Sequence, residues 1–450
     1  MPLLQRQSSF GTSNKDILAM AAEGAVPEDS DDAISDDAIS DDAMSHNSNS
    51  STVVHQQEPF DTIKFRILEL CRAVLAPENS EISIERLYGG CSHRIIGVTI
   101  TNEEDSACSR YVVRLPRNPS DDKNTERAVA PLKILENSAF PMPRLCKFDV
   151  TSLNALGRPY VILERIDGAN YPSYFEHLPQ ERKLVVAKDF GKAIAELDSI
   201  RSDIAGTPGL SPTDGSLVVN TQDRSRDPVP YVNGPAKHTV VQMMLAYMCG
   251  EIMDFATDPY EQSFLFDHYR SLLPVVFQMS EVGLLDDSDY FCLCHLGIDC
   301  EAIFFTDSTL NDSESSIRIL HSDRSIFGPP FMACSPPAWL WARENRYNFE
   351  LFANSGALTA EMQEVKKCFD DAAGPVYRKY AYGAGYRLAR QLYRLLFVDY
   401  SSRGVPVILR EWPKVYESLK MAKEIEDPKV PAIETSINDH MQEDGLIIFE

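Results

Sequence analysis

Apolar residues first recur with a helical period near Phe60, after a polar stretch that has no regular period. From residue 60 to residue 75, the segment FDTIKFRILELCRAVL places apolar side chains three and four positions apart, which predicts an amphipathic helix. Asp61 or Thr62 is its candidate N-cap, because a short oxygen-bearing side chain accepts a hydrogen bond from the first backbone N–H groups of a helix. Ordered structure is therefore predicted to begin near residue 60.

A β-rich stretch follows this helix. Its short β-branched runs are separated by Gly, Asp and Ser, a pattern typical of strands joined by turns. The runs occupy residues 82–90, 94–102, 110–117 and 159–168. A helix is predicted between the third and fourth runs, at residues 123–136. Pro131 is expected to shorten or kink it, because proline has no backbone N–H and its ring clashes with the preceding turn.

Helical spacing prevails after residue 170. Residues 181–200 carry five apolar side chains on one face, as expected of a helix packed on a core. They are Leu184, Ala187, Phe190, Ile194 and Leu197. Similar spacing recurs at residues 238–256, 260–274, 375–399 and 410–423. Residues 201–236 are rich in Gly, Pro and Asp and are predicted to be loop, and strands return only around residues 290–320.

This order of elements predicts an α+β fold with two lobes. The β-rich N-terminal lobe is predicted at residues 59–166 and the helical C-terminal lobe at residues 167–425. Residues 426–450 are predicted to be a loose C-terminal tail.

The first 58 residues are predicted to be a disordered, acidic tail rich in Ser and Asp. From Ser30 to Ser45 the chain repeats a five-residue unit, SDDAI, whose period matches neither a helix nor a strand. Such a segment cannot bury enough apolar surface to offset the entropy lost on ordering. A second interpretation is a regulatory tail that is phosphorylated at Ser30, Ser35 or Ser40.

The chain has a formal net charge of −24, and residues 1–58 contribute −9 of it through eleven acidic and two basic side chains. The remaining residues carry −15 and are therefore acidic in their own right. A surface of this sign repels nucleic acid and anionic membranes, so neither is expected as a partner.

Ten cysteines are scattered without paired spacings, which favours free thiols in a reducing compartment over a disulfide framework. The first residues lack an apolar stretch of signal-peptide length. No run approaches the roughly 20 apolar residues that span a bilayer. Together these features predict a cytoplasmic protein.

The segment FCLCHLGIDCEAIFF, residues 291–305, has the layout of a phosphotransferase catalytic loop. An apolar strand ends at His295, a loop follows, and a second apolar strand begins at Ala302. The loop offers glycine and alanine where phosphoryl transfer requires a carboxylate and an amide.

Six segments of the chain, in this order, resemble the aminoglycoside phosphotransferase family, in particular its large fungal branch. They are LYGGCSHRIIGV, YVVRLPR, PLKIL with FPMPRLCKFD, GRPYVILERIDG, FCLCHLGIDCEAIFF and RILHSDRSIFGPPFMACSPPAWLW. The resemblance implies a two-lobed protein-kinase-like fold. It also implies ATP and Mg²⁺ as cofactors, and phosphoryl transfer to a hydroxyl compound in the family at large.

The resemblance places the nucleotide at the glycine-containing loop and on the strand that follows it. Gly89, Gly90 and Ser92 are the loop positions whose backbone N–H groups would approach phosphate oxygens. Arg114 takes the basic position that holds the phosphates, and arginine suits this role because it is always charged.

Four other polar positions of the family are vacated here. The helix acid falls on Ala128, the catalytic Asp on Gly297, the Asn on Ala302 and the metal-binding Asp on His321. Glu126 lies near the first of these, but two positions along a helix turn a side chain to another face. Histidine is a poor ligand for Mg²⁺, which prefers oxygen.

Two acids remain as possible replacements. Asp323 keeps the last place of the metal motif and is the candidate metal ligand. Asp299 lies two places beyond the expected catalytic Asp and is the candidate catalytic residue if the site is active. Both roles require the backbone to take a different course from the family pattern.

Four side chains of this segment are of the types that bind zinc: Cys292, Cys294, His295 and Cys300. The C-x-C spacing is too tight for the usual zinc knuckle and no second pair follows, so the cysteines are interpreted as small core side chains. His295 is interpreted as a structural hydrogen-bonding residue beneath the loop. His93 is predicted either to touch a phosphate or to cap the glycine-containing loop.

These residues predict a pseudo-phosphotransferase with weak or no Mg²⁺–ATP chemistry, acting by binding a small molecule or a protein in the cleft between the lobes. An active ATP-dependent small-molecule kinase with relocated acids is the alternative. A third possibility is an interaction protein that is regulated by its acidic tail and needs no ligand.

Overall fold

The structure is a computed structural model, which describes residues 58–76, 79–87, 93–103, 106–117, 124–170, 175–221, 239–257, 262–285, 288–298, 302–306, 315–320, 322–342, 350, 358–398 and 403–426. The two predicted tails lie outside these ranges, apart from residues 58 and 426.

Five antiparallel strands form one sheet in the order β1-β2-β3-β5-β4. The strands are β1 (Ser80–Arg86), β2 (His93–Asn102), β3 (Cys108–Pro116), β4 (Leu145–Asp149) and β5 (Tyr160–Glu164). The sheet is the predicted β-rich region, with one further strand, β4, that the apolar pattern did not predict.

Helix α1 (Phe60–Val74) covers one face of this sheet. Its buried face, at Ile63, Ile67 and Leu70, packs against the buried face of β2, at Ile96 and Val98. The helix begins after a proline and has no side-chain cap, so the prediction of Asp61 or Thr62 as N-cap is wrong. Burial of the apolar stripe stabilises the helix without one.

Helix α2 (Asn124–Leu135) follows β3, as predicted. Pro131 does not end it, because the helix continues for another turn to Leu135. Leu132 and Leu135 are buried, and their burial offsets the backbone hydrogen bond that the proline removes.

The rest of the chain is mainly helical. Its helices are α3 (Gln180–Ser199), α4 (Val240–Thr257), α5 (Gln262–Glu281), α6 (Pro330–Ala333), α7 (Ala360–Tyr382), α8 (Tyr386–Phe397) and α9 (Gly404–Glu426). The prediction of one helix at 375–399 is wrong, since α7 ends at Tyr382 and α8 begins at Tyr386. Gly385, just before α8, has a φ of 90°, a left-handed conformation that glycine adopts without strain. The prediction of an α+β fold with a β-rich N-terminal part and a helical C-terminal part is confirmed.

Short strands interrupt the helical part and build three small sheets, with the orders β13-β10-β7, β12-β11-β6 and β8-β9. Their strands are β6 (Ala169–Asn170), β7 (Arg201–Ser202), β8 (Thr207–Leu210), β9 (Leu217–Asn220), β10 (Phe291–His295), β11 (Ile303–Phe305), β12 (Ile317–Ile319) and β13 (Ser325–Gly328).

The β8–β9 hairpin corrects the prediction that residues 201–236 are loop. Asp214–Gly215 stands at its turn, and Gly215 has a φ of 66°. An Asp-Gly pair between apolar runs is a hairpin signal, so the sequence held a cue for this element. Residues 222–236 of the predicted loop lie outside the part of the chain that the structure describes.

The core of the helical part contains Trp339 and Trp341, which are both buried. No helix in the described ranges is long and apolar enough to cross a membrane.

The close crossing of α3 and α7 yields a stability prediction. A Cβ added at Gly191 would stand 2.5 Å from the Phe369 carbonyl oxygen and 2.8 Å from the Ala372 Cβ. Gly191→Ala is therefore expected to lower the free energy of unfolding by about 1–3 kcal/mol through overpacking. Urea denaturation measures this change.

Gly250, in helix α4, is the matched control, because a Cβ there meets no heavy atom within 4 Å. Gly250→Ala is expected to stabilise the protein by about 0.5–1 kcal/mol, since glycine loses more backbone entropy in a helix than alanine does. Equal losses in the two variants would show that the α3–α7 contact is not tight.

Candidate functional site

Strand β3 places Arg114 on the face of the sheet that is opposite to the apolar core beneath α1. Val113 and Leu115 are buried in the cluster that packs against α1. Because side chains alternate along a strand, Arg114 points to the other face. It lies between Ile95 of β2 and Val161 of β5, in the middle of the sheet.

Arg114 contacts an acid from the C-terminal part of the chain. Its Nη2 lies 3.6 Å from Oδ1 of Asp323, and the two side chains are only 12% and 23% exposed. The same Nη2 stands 3.4 Å from Nδ1 of the buried His93. A guanidinium can only donate, so Nδ1 of His93 is the acceptor. The residue expected to hold phosphates is thus paired with the residue expected to hold a metal ion.

Helix α2 brings no acid to Arg114 among its described contacts. Ala128, the residue predicted to stand at the family's acid position, is buried with 1% of its surface exposed. Glu126 faces the β8–β9 hairpin, where its Oε1 accepts a hydrogen bond from the backbone N–H of Leu210 at 2.8 Å. Gly209 permits this approach, because a Cβ there would lie 3.2 Å from the same Oε1 and 2.1 Å from Nδ2 of Asn220.

His295 supports the loop that follows β10. Its Nε2 donates to the carbonyl oxygen of Leu320 at 3.1 Å, and its Nδ1 accepts from the backbone N–H of Gly297 at 3.2 Å. These two bonds require the neutral tautomer with the proton on Nε2. The imidazole therefore orients the loop and has no free nitrogen to act as a base, as its structural interpretation predicted.

Further backbone bonds hold the loop against the segment between β12 and β13. The N–H of Leu296 donates to the Arg324 carbonyl at 2.9 Å, and the N–H of Leu320 donates to the Ala302 carbonyl at 2.8 Å. Ala302 is fully buried. Both ends of the loop are thus fixed in place by backbone groups, while Gly297 and Ala302 bring no carboxylate or amide to it.

Several predicted site residues lie outside the described residues. They are Gly89, Gly90 and Ser92 of the glycine-containing loop, Asp299 of the catalytic-type loop, and His321. The structure therefore places Arg114, Ala128, Gly297, Ala302 and Asp323, and brings only Arg114 and Asp323 into direct contact.

The described residues do not fit a Mg²⁺ cage. Within the ranges that the structure covers, no group of three or more His, Cys, Asp or Glu side chains is arranged to hold a metal ion. Mg²⁺ takes near-octahedral oxygen coordination. Asp323 alone offers a carboxylate at the placed positions, and its Oδ1 faces the Arg114 guanidinium, which opposes a second cation there.

Cys292 and Cys294 lie on one face of β10 with their sulfur atoms 4.0 Å apart, and both are buried. The hydrogen bond from the neighbouring Cys294 and the burial of the site raise the pKa of the Cys292 thiol well above its ordinary value. Metal ligation requires the thiolate, so this environment supports their interpretation as core side chains. Cys300, the third cysteine of the pattern, is outside the described residues.

A comparison with protein families found one family whose model matches part of the chain. Residues 83–232 match the model of APH, described as the phosphotransferase enzyme family. The match covers a third of the chain, from the first strand of the five-stranded sheet to beyond the β8–β9 hairpin. The phosphotransferase-family segment contains Arg114 and Ala128, and the predicted resemblance is confirmed at the level of the family.

Solved structures with similar folds include phosphotransferases and a kinase. Choline kinase from Cryptosporidium parvum Iowa II shares 12% identity at a TM-score of 0.41, covering 80% of this chain and 97% of that chain. APH(2'')-IIa, in a ternary complex with streptomycin and ATP, shares 15% identity at a TM-score of 0.40, covering 78% of this chain and 97% of that chain. The aminoglycoside phosphotransferase from Alicyclobacillus acidocaldarius shares 12% identity at a TM-score of 0.34, covering 79% and 96%. These similarities are too low to support an argument about substrate, and a comparison with curated proteins found no match.

Sequence reasoning missed two contacts of the phosphotransferase-family segment. The first is the ion pair between Arg114 and Asp323, which joins side chains far apart in the chain and has no local signal. The second is the hydrogen bond from Leu210 to Glu126. The hairpin that carries Leu210 was foreseeable from Asp214–Gly215, but its packing against α2 was not.

Proposed function

We propose that this protein is a pseudo-phosphotransferase that binds a small molecule or a protein in the cleft between its lobes and has weak or no Mg²⁺–ATP chemistry. Assignment to the fungal branch of the family and a cytoplasmic location accompany this proposal as predictions from the sequence.

The ion pair between Arg114 and Asp323 is the observation that supports the proposal. In a phosphotransferase, the basic residue neutralises phosphate oxygens while the acids hold Mg²⁺. Here the two charges lie 3.6 Å apart and compensate one another. ATP must therefore compete with Asp323 for Arg114, and Mg²⁺ must compete with Arg114 for Asp323.

Isothermal titration calorimetry of the full chain with ATP tests this proposal. Binding is expected to be weak and of similar strength with and without Mg²⁺. Asp323→Asn is expected to strengthen metal-free binding by up to about fivefold, since it releases Arg114 from a partly exposed ion pair that is worth ~1 kcal/mol or less. Arg114→Gln is expected to weaken it.

An active kinase with relocated acids would respond to Asp323→Asn with the opposite sign. Its Mg²⁺-dependent ATP binding would fall, because the variant removes a metal ligand. Asp371→Asn is the matched control for loss of one negative charge, since Asp371 is exposed on α7 and paired with Lys367. Tight binding that appears only with Mg²⁺ would contradict the proposal.

A further inference from the structure

A row of four residues crosses the five-stranded sheet on the same face as Arg114. In antiparallel register, the row runs through Glu85 of β1, Gly97 of β2, Val112 of β3 and Leu163 of β5. Val112 lies two residues before Arg114 on one strand, so both side chains point to the same face. We call these four residues the cleft row.

A nucleotide in the cleft would place its base on the cleft row. The glycine-containing loop, which is predicted to hold phosphates, precedes His93, and His93 pairs with Pro116. Moving back along β3 from Pro116, Arg114 comes first and Val112 follows about 7 Å further on. The ribose of a nucleotide separates its base from its phosphates by a comparable length. Phosphates at the loop and at Arg114 would therefore direct the flat base to Gly97 and Val112.

Gly97 lies directly beneath an ion pair. Arg165, which follows β5, pairs with Glu85 through its Nη1. A Cβ added at Gly97 would stand 2.8 Å from Cγ of Glu85 and 3.1 Å from Nη1 of Arg165. Glycine inside a strand often marks a place where another group approaches the backbone closely. Here the approaching groups belong to the chain itself, and Gly97 leaves room for them.

The side chain of Arg165 crosses the cleft face of the sheet to make this pair. The backbone N–H of Arg165 donates to the carbonyl oxygen of Arg110 on β3 at 3.0 Å. Glu85 lies on β1, two strands further along the sheet, so the side chain passes over β3 to reach β2. It is only 24% exposed, as expected of a side chain that lies along a sheet. The space over Gly97 that a flat ring needs is thus occupied by two paired side chains.

We propose that the ion pair between Arg165 and Glu85 determines the specificity of the cleft: it excludes a flat aromatic base and leaves room for a phosphorylated small molecule without one. The inference rests on the proposed function, because it takes Arg114 as the residue that meets the charged end of the ligand. A base would reach Gly97 only by displacing both side chains and separating their charges. A ligand without a ring reaches Arg114 with the pair in place.

Titration calorimetry of the full chain with ATP and with tripolyphosphate, both without Mg²⁺, tests this inference. The two compounds share three phosphates and differ by the nucleoside, so the ratio of their affinities measures what the base contributes. The ratio is expected to be close to one for the wild-type protein. A base that stacked on the guanidinium of Arg165 would instead give ATP the higher affinity.

An ATP affinity more than about tenfold above that of tripolyphosphate would overturn the inference. The proposed function would still stand if the binding of ATP were weak and independent of Mg²⁺. Conversely, tight binding that requires Mg²⁺ would contradict the proposed function whatever the ratio. The two failures are therefore distinguishable.

The double variant Glu85→Ala with Arg165→Ala removes the pair without changing the net charge. It is expected to raise the ratio of ATP to tripolyphosphate affinity about fivefold, since the base no longer has to break a partly exposed ion pair. It is also expected to bind adenosine, which the wild-type protein is expected not to bind. A folded double variant with an unchanged ratio and no adenosine binding would refute the role of the pair.

Arg144→Ala with Glu164→Ala is the matched control. This exposed pair joins residues of the same sheet, and Glu164 points to the opposite face from Arg165, because side chains alternate along a strand. Its ratio is expected to equal that of the wild type. If the Glu85 and Arg165 variant does not fold, titration of the wild-type protein with adenosine decides: adenosine that binds and competes with ATP would overturn the inference, and no binding would support it.

Discussion

Replacing Arg390 by methionine is expected to lower the free energy of unfolding by about 3–5 kcal/mol, because it leaves the mostly buried carboxylate of Glu350 without its positively charged partner. Arg390 is 2% exposed. Its Nε and Nη2 donate to Glu350, with Nη2 2.8 Å from Oε2. Its Nη1 donates to the carbonyl oxygen of Tyr380 at 2.6 Å, and Nη2 also donates to that of Ala381 at 3.3 Å.

These bonds connect α8 with the end of α7 and with the segment that carries Glu350. Loss of the guanidinium also leaves buried backbone carbonyls without donors, which adds a desolvation cost. Urea denaturation of the full chain measures the effect. Glu350→Gln is expected to be destabilising as well, since it removes the countercharge of a buried arginine.

Arg387→Met is the matched control on the same helix. Arg387 pairs with Glu411, and both side chains are about a third exposed, so its loss is expected to cost about 1 kcal/mol or less. If Arg390→Met cost no more than Arg387→Met, the buried pair would not be a main support of the helical part.

The triple variant Gly297→Asp, Ala302→Asn and His321→Asp is expected to gain a Mg²⁺–ATP-dependent rise in melting midpoint that the wild type lacks. It restores the carboxylates and the amide that the family uses to hold Mg²⁺ and the substrate hydroxyl. The loop that carries Gly297 and Ala302 is already held by backbone bonds on both sides. At about 100 times its dissociation constant, the bound metal–nucleotide would add about 2.7 kcal/mol of stability.

Without ligand, the triple variant is expected to be less stable than the wild type. Ala302 is fully buried, and a polar amide at that position costs free energy unless it finds partners. The two new carboxylates also repel one another and Asp323 until a cation neutralises them. Thermal melts with and without Mg²⁺–ATP separate this cost from the gain on binding.

Gly297→Ala alone is the control for the backbone at that position. If it folds normally and the triple variant still gains nothing from Mg²⁺–ATP, the assignment of vacated family positions is wrong. Asp299 and Asp323 then become the residues to mutate, as the acids of a relocated site.

The sequence by itself determined the classes of element and their order. Apolar spacing along residues 60–75 and 181–200 identified two helices that the structure contains as α1 and α3, because a helix repeats locally every 3.6 residues. β-Branched runs identified four strands of the N-terminal sheet, because a strand is also marked by a local pattern of residues bounded by turns. The assignment of vacated positions in the catalytic-type loop also rests on linear spacing, because a catalytic loop keeps its residues within one short segment, and it stays a prediction.

Only the tertiary structure decided which charges meet. The pairing of Arg114 with Asp323 and the hydrogen bond from the backbone N–H of Leu210 to Glu126 each join residues from separate elements. No periodicity encodes such contacts, because they depend on the register of strands and the packing of helices. The break between α7 and α8 belongs here too, since the apolar pattern continues through it. Helix α7 ends at Tyr382 before an extended Gly383, and the left-handed Gly385 precedes the start of α8.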